Sequence, residues 1–338
     1  MEKSNTILEI LVIAFIISLT NISIAQNSKP QEKDIKIFFD DSAARYVLEN
    51  PEKALNIERD SIWKSFGGYR ITSIWHEKSS VPITWKYWER GINEFLSDTT
   101  LIRKTLSLAD NLKSKVFKEQ NTIIQHISSY SYEKTKMNAF IYLVAFTYPY
   151  AFCVDTNKIG IDITGDEWNF DTDCILNVVI HETYHIVFKL NSPDYFKYIA
   201  IDPTDRETFI RFNHAYLQSE GMATFVAYKA LNLFPSDYRH PDYELLENDS
   251  TVKMAIHQIN LLSEMAMTMP IDTLLQECWK LGVEERAYYV AGGYMASIIE
   301  EKHGTEFLAA LVKEGSINFV KEYNLLVPED YKLVLIEL

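Results

Sequence analysis

Residues 158–190 read KIGIDITGDEWNFDTDCILNVVIHETYHIVFKL, and a change of period inside this stretch decides the fold class. Over 158–164, Ile159, Ile161 and Ile163 alternate with Gly160, Asp162 and Thr164, the period-two pattern of a strand. Gly165 and Asp166 read as a turn. Asp171 and Thr172 then cap a helix that runs to about Leu190. Leu176, Val178, Val179, Ile180, Ile186, Val187 and Phe188 leave that helix almost no polar side, so it is expected to be buried.

Upstream, NAFIYLVAFTYPYAF at 138–152 is rich in aromatic and branched residues, as strands are. From Asp34 to about Tyr130 the pattern is mainly helical. DDSAARYVLEN starts a helix, Phe66-Gly67-Gly68-Tyr69 is a break, and Pro82 precedes a helix carrying Trp85, Trp88 and Phe95. A long helix follows from Leu101 to about Ile127. After Pro193 and Pro203 the chain reads as helical, most clearly over 206–232, 250–266, 271–281, 285–303 and 305–313. Strands followed at once by a helix, and then by many helices, predict an α+β fold that is mainly helical with a small sheet. The expected division is an N-terminal helical region at 34–130 and a domain at 131–338.

The first 25 residues have the form of an export signal. Lys3 precedes an apolar run from Ile10 to Leu19, and Ser23 and Ala25 suit cleavage after Ala25. Residues 26–33 read as a flexible leader. The expected location is periplasmic or extracellular. No later segment is apolar for long enough to span a bilayer. The net charge of −14 disfavours a nucleic-acid partner or an anionic membrane surface, because both need basic surface. Cys153, Cys174 and Cys278 match neither a zinc ribbon nor a CxxC motif. In an oxidising compartment, Cys153 with Cys174 is the first pairing to consider.

His181-Glu182-Thr183-Tyr184-His185 carries the chemistry. Positions i and i+4 of a helix project from one face a turn apart, so two imidazoles there can share one tetrahedral zinc. Glu182, adjacent to the first ligand, reaches the water on the metal and can take its proton as general base. With eight His in 338 residues, chance gives such a pattern with odds on the order of one in a hundred. Buried His and Glu also need partners, which one zinc ion provides.

A third ligand must come from elsewhere. An HExxHxxGxxH extension is excluded by Phe188 and Asn191. Glu220, in the apolar run LQSEGMATFVAY, is the leading candidate, since a carboxylate there should be paired or bound to metal. His214 and Glu207 are the rivals. Gly221 beside it allows another backbone to come close.

HETYH followed by SEGMA resembles the gluzincins, zinc peptidases that use two His of HExxH and a Glu from a second helix. Tyr289, Gly292, Ala296 and Gly304 repeat a Tyr-x-x-Gly-x-x-x-Ala pattern of gluzincin-like bacterial families. Together with FFDDSAARYVLEN and WKSFGGY, these residues are similar to an uncharacterised family of exported bacterial proteins described as zinc-dependent peptidases. The resemblance implies a zincin-like two-lobed fold, with the small sheet packed on the HETYH helix and the cleft between the lobes. It implies His181, His185 and Glu220 as metal ligands and Glu182 as base. Thermolysin-like members carry Asp four residues after the ligand Glu, to orient a zinc-binding His. Here Thr224 stands there, which leaves the outer partners of the ligands unassigned.

Peptide hydrolysis also needs a donor for the oxyanion. Tyr289 is the candidate, with Tyr288 and Tyr294 as rivals. A peptide or protein substrate would add to a strand edge. KIGIDIT is either that edge or an internal strand. The expected activity is zinc-dependent peptide-bond hydrolysis. The alternatives are hydrolysis of a non-peptide amide or ester on the same scaffold, or a non-catalytic binding protein with a closed, structural metal.

Overall fold

The computed structural model describes residues 35–336 apart from 57–58, 80, 84 and 133–135. The expected signal peptide and leader, residues 1–33, lie outside the described residues. The elements are β1 (Ile35–Asp40), α1 (Ser42–Glu49), α2 (Pro51–Asn56), α3 (Arg59–Ser65), α4 (Gly67–Ser79), α5 (Trp85–Ser97), α6 (Thr99–Ser129), β2 (Met137–Val144), β3 (Ala151–Val154) and β4 (Lys158–Asp162). Then come α7 (Thr172–Asn191), α8 (Arg206–Ala230), α9 (Pro241–Leu246), α10 (Asp249–Met265), α11 (Ile271–Trp279), α12 (Ala287–His303), α13 (Thr305–Glu314) and α14 (Ser316–Leu326). The fold is therefore α+β and mainly helical, with one small mixed sheet.

Two compact units divide the chain. Of the described residues, one unit takes those up to 109 together with 136–165, and the other takes those of 110–132 and 166–336. The strands at 137–162 thus group with the N-terminal helices rather than with the helices that follow them. The reason is β1. Ile35 and Ile37 are buried and alternate with exposed Lys36 and Phe38, and β1 pairs in parallel with β2, from Ile35 opposite Met137 to Asp40 opposite Tyr142. This strand lies in the stretch read as helical. Its six residues are too few to override the helical run after it, and its partner is remote in sequence.

Within the first unit the strand order is β1-β2-β4-β3. β2 and β4 are parallel, whereas β3 and β4 are antiparallel. Helix α4 packs on this sheet, where Ile71, Ile74 and Trp75 meet Phe152, Val154 and Tyr142. The strand read as KIGIDIT is consequently an internal one, and the edges are β1 and β3. Its polar positions are not exposed either. Asp162 is fully buried and accepts hydrogen bonds from Thr164 N (2.8 Å), Thr164 Oγ1 (2.6 Å) and Thr147 N. A buried carboxylate must be satisfied in this way. Burial still dominates, and it raises the Asp162 carboxyl to about 6 against those hydrogen bonds.

The second unit is helical. Asp171 caps α7 through Asp173 N and Cys174 N, both at 2.8 Å. Most residues of α7 are buried, in line with its apolar circumference. Helix α8 opens on a capping box between Asp205 and Thr208 and packs along both α7 and α12. No cysteine forms a disulfide. Cys174 is buried in the first turn of α7, and Cys278 on α11 lies against the Tyr288 hydroxyl at 3.1 Å. The pairing of Cys153 with Cys174 is therefore not made.

Candidate metal centre

Everything in this site belongs to the helical unit. His181 and His185 stand one turn apart on α7, as their spacing predicts, and Glu220 faces them from α8. His181 Nε2 and His185 Nε2 are 3.1 Å apart. Glu220 Oε2 lies 3.6 Å from the first and 3.3 Å from the second. Among the described residues, these three are the group of His, Cys, Asp and Glu whose ligand atoms converge.

The separations test whether a metal fits. A tetrahedral zinc with bonds of about 2.0–2.1 Å keeps its ligand atoms about 3.3–3.4 Å apart, and the three distances straddle that value. Glu220 Oε2 is also buried and has no polar partner beyond the two imidazoles, an arrangement that favours a cation among them. Charge points the same way. Burial alone raises the Glu220 carboxyl, but the imidazoles of His185 and His181 outweigh it and hold the group well below the usual carboxylate range. Burial likewise disfavours a charged His185, yet Glu220 beside it draws its pKa upward. The space among the three atoms favours positive charge. A proton can serve one pair, whereas a divalent ion serves all three.

The other ring nitrogen of His185 has a partner. Nδ1 lies 3.3 Å from the buried hydroxyl of Ser219. With Nδ1 donating to that hydroxyl, Nε2 is left free as an acceptor. Ser219 thus stands against His185 where Thr224 does not. Thr224 Oγ1 is buried without a partner. The sequence signal for Ser219 was its place next to Glu220, which brings it to α7 on the same turn.

Tyr289 comes from the first turn of α12. Its ring is nearly parallel to that of His181, at 13° with centroids 5.9 Å apart. Burial first, and Glu220 second, push its hydroxyl well above the ordinary tyrosine range, so it remains a proton donor. Its rivals are engaged elsewhere. Tyr288 is fully buried, and its hydroxyl donates to Asn213 Oδ1. Tyr294 stacks on Tyr331. Glu182 is buried on α7 beside His181 and lies close enough to act electrostatically on both His185 and Tyr289.

The two rival ligands stand apart from this group. Glu207 is exposed in the first turn of α8. His214 is buried, and burial, with Arg211 adding to it, lowers its pKa to about 4.

A family model described as "Putative zinc dependent peptidase (DUF5700)" matches residues 104–330. The chain belongs to this family. The DUF5700 match runs from within α6 through β2–β4 and α7–α14, and so includes every residue of the centre. No curated protein and no solved structure matches the chain.

Two further residues beside the DUF5700 centre were not found from sequence. Asp242, in the first turn of α9, takes a bidentate pair from Arg286, with Nε at 2.9 Å and Nη2 at 2.5 Å. The guanidinium of Arg286 in turn lies 3.4 Å from the centre of the Tyr289 ring. Arg286 could have been suspected, since three residues ahead of Tyr289 is about one helical turn. Nothing in the sequence brings Asp242 to it across 44 positions.

Proposed function

We propose that this protein is an exported, gluzincin-type metallopeptidase that hydrolyses peptide bonds with one zinc ion held by His181, His185 and Glu220. The observation that carries the reading is the convergence of three ligand atoms at 3.1–3.6 Å, together with membership of a zinc-dependent peptidase family. Among the described residues three side chains converge rather than four, which supports an open, catalytic position over a closed structural site. A zincin-like fold of two lobes belongs to the same reading. Its support is the likeness of HETYH and of Glu220 on the following helix to the gluzincins. Export rests on the run Ile10–Leu19 and the small residues before Gln26.

A bound zinc supplies an acidified water and a positive charge against the substrate carbonyl. Glu182 receives the proton of the attacking water as its oxygen bonds to the carbonyl carbon. The same carboxyl then delivers that proton to the amide nitrogen as the C–N bond breaks, so one group serves as base and acid in turn. Tyr289 donates a hydrogen bond to the oxygen on which charge develops. Ser219 holds His185 in the tautomer that binds metal.

An unbiased peptide-library digest with the purified, zinc-loaded chain tests the reading. Cleavage that disappears on chelation and returns with zinc is expected. Hydrolysis of non-peptide amides or esters alone, with every peptide intact, would overturn it.

A further inference from the structure

Beside the metal ligands and Glu182, the site contains a buried ion pair that the reaction described above does not use. Asp242 is 4 % exposed, and its two oxygens take the Arg286 fork at 2.9 and 2.5 Å. Stability alone is a poor reason for such a pair, because apolar replacements of buried ion pairs are often neutral or better. The backbone adds to the argument. Arg286 sits at φ 57°, ψ 21°, at the N-cap of α12, and its side chain caps nothing there. A left-handed, non-glycine residue carries strain of a kind that gathers at functional sites. Its side chain is spent on reaching Asp242 and on covering the ring of Tyr289.

We propose that Asp242 and Arg286 are positioning residues. The carboxylate fixes the plane of the guanidinium, the guanidinium fixes the Tyr289 ring, and the ring is thereby held against His181 with its hydroxyl turned to the reacting carbonyl. The inference rests on the reading of Tyr289 as the oxyanion donor. The contacts form one series: Asp242 to Arg286 by two hydrogen bonds, Arg286 to the ring at 3.4 Å, and the ring to His181 at 13°. Arginine is required because only a planar fork can bond a carboxylate bidentately and lie on an aromatic face at once. Lysine would keep the charge and lose both.

The test uses the full zinc-loaded chain with 3-fluorotyrosine introduced at position 289. A single sharp ¹⁹F resonance is expected in the parent protein. Broadening or splitting is expected in R286K and in D242N, with bound zinc unchanged. In kinetics, R286K should lower kcat at least about tenfold with KM held within about twofold, and should change kcat little when Tyr289→Phe is already present. A merely structural pair would cost the same in both backgrounds. An unchanged resonance in both variants overturns the proposal, as does an equal loss of kcat with and without the Tyr289 hydroxyl. If R286K does not fold, D242N, which keeps the arginine, carries both measurements. If the parent protein cleaves no peptide, the peptidase reading falls, and the ¹⁹F comparison alone decides whether Arg286 orders the ring.

Discussion

Gly221 and Gly292 touch backbone to backbone where α8 crosses α12. A Cβ added to Gly221 would lie 2.3 Å from the Cα and carbonyl carbon of Gly292, and one added to Gly292 would lie 2.4 Å from Leu217 O. This crossing brings the helix of Glu220 against the helix of Tyr289. Neither obstacle is a side-chain tip that can swing away. Gly292→Ala should therefore destabilise the protein by about 2–3 kcal/mol, the upper part of the overpacking range, and weaken zinc binding as the two helices part. Gly282→Ala is the control, since its added carbon meets Tyr216 at an ordinary 3.4 Å, and it should cost less than about 1 kcal/mol. Denaturant unfolding of both variants makes the comparison, and equal stability of Gly292→Ala and the parent would contradict it.

Purified protein should contain about one zinc per chain, as three ligands and an open position imply. His181→Ala together with His185→Ala should remove it. Glu220→Ala should weaken zinc at least as much as the roughly 10–100-fold loss typical of an outer partner. Glu207→Ala should leave affinity unchanged, because Glu207 is exposed at the start of α8. Metal analysis and competition with a chelator measure all three. Full retention of zinc in Glu220→Ala would move the third ligand elsewhere.

Glu182→Gln should keep zinc and fold but lower kcat by about 10²–10⁴, the range for loss of a general base. The carboxylate stands beside His181 without being one of the converging group. Wild-type turnover in this variant would mean that another group takes the proton.

The tyrosines of α12 should separate cleanly. Tyr289→Phe should lower kcat by about 10²–10³ with little change in KM or bound zinc, since an oxyanion donor acts in the transition state. Tyr288→Phe should instead cost stability, about 1–3 kcal/mol, because it leaves the buried Asn213 without its donor. Tyr294→Phe should be silent in turnover. If Tyr288→Phe loses turnover while Tyr289→Phe does not, the donor assignment passes to Tyr288.

Asp162 should make the sheet unit sensitive to pH. Burial raises its carboxyl to about 6, above the unfolded value of about 3.9. The folded state thus holds the proton more tightly. Its contribution is complete below about pH 4 and is lost as pH rises through about 6. The stability advantage of the parent over Asp162→Ala should shrink by about 2–3 kcal/mol between pH 4 and pH 7. Urea unfolding at the two pH values reads the slope, and an advantage that grows with pH would refute the assignment.

Whatever a single element can hold is legible along the chain. The spacing of His181 and His185 puts both on one face of α7. The apolar circumference of that helix predicts its burial, and Asp171 marks its start. The alternation of Ile159, Ile161 and Ile163 declares a strand. These features repeat within a few residues, so periodicity records them. Features that depend on the meeting of distant segments come instead from packing. β1 became a strand by pairing with β2 far downstream, and β4 became internal because β3 turned back along its other side. Glu220 was preferred over Glu207 and His214 from its setting, but its contact with both imidazoles exists only through the packing of α8 on α7. Asp242 met Arg286 across 44 positions with no local pattern to announce it. A side chain's neighbours along a helix follow from the pitch of the helix. Its neighbours across a helix interface follow from how two backbones cross, and at this site that crossing depends on two absent Cβ atoms, at Gly221 and Gly292.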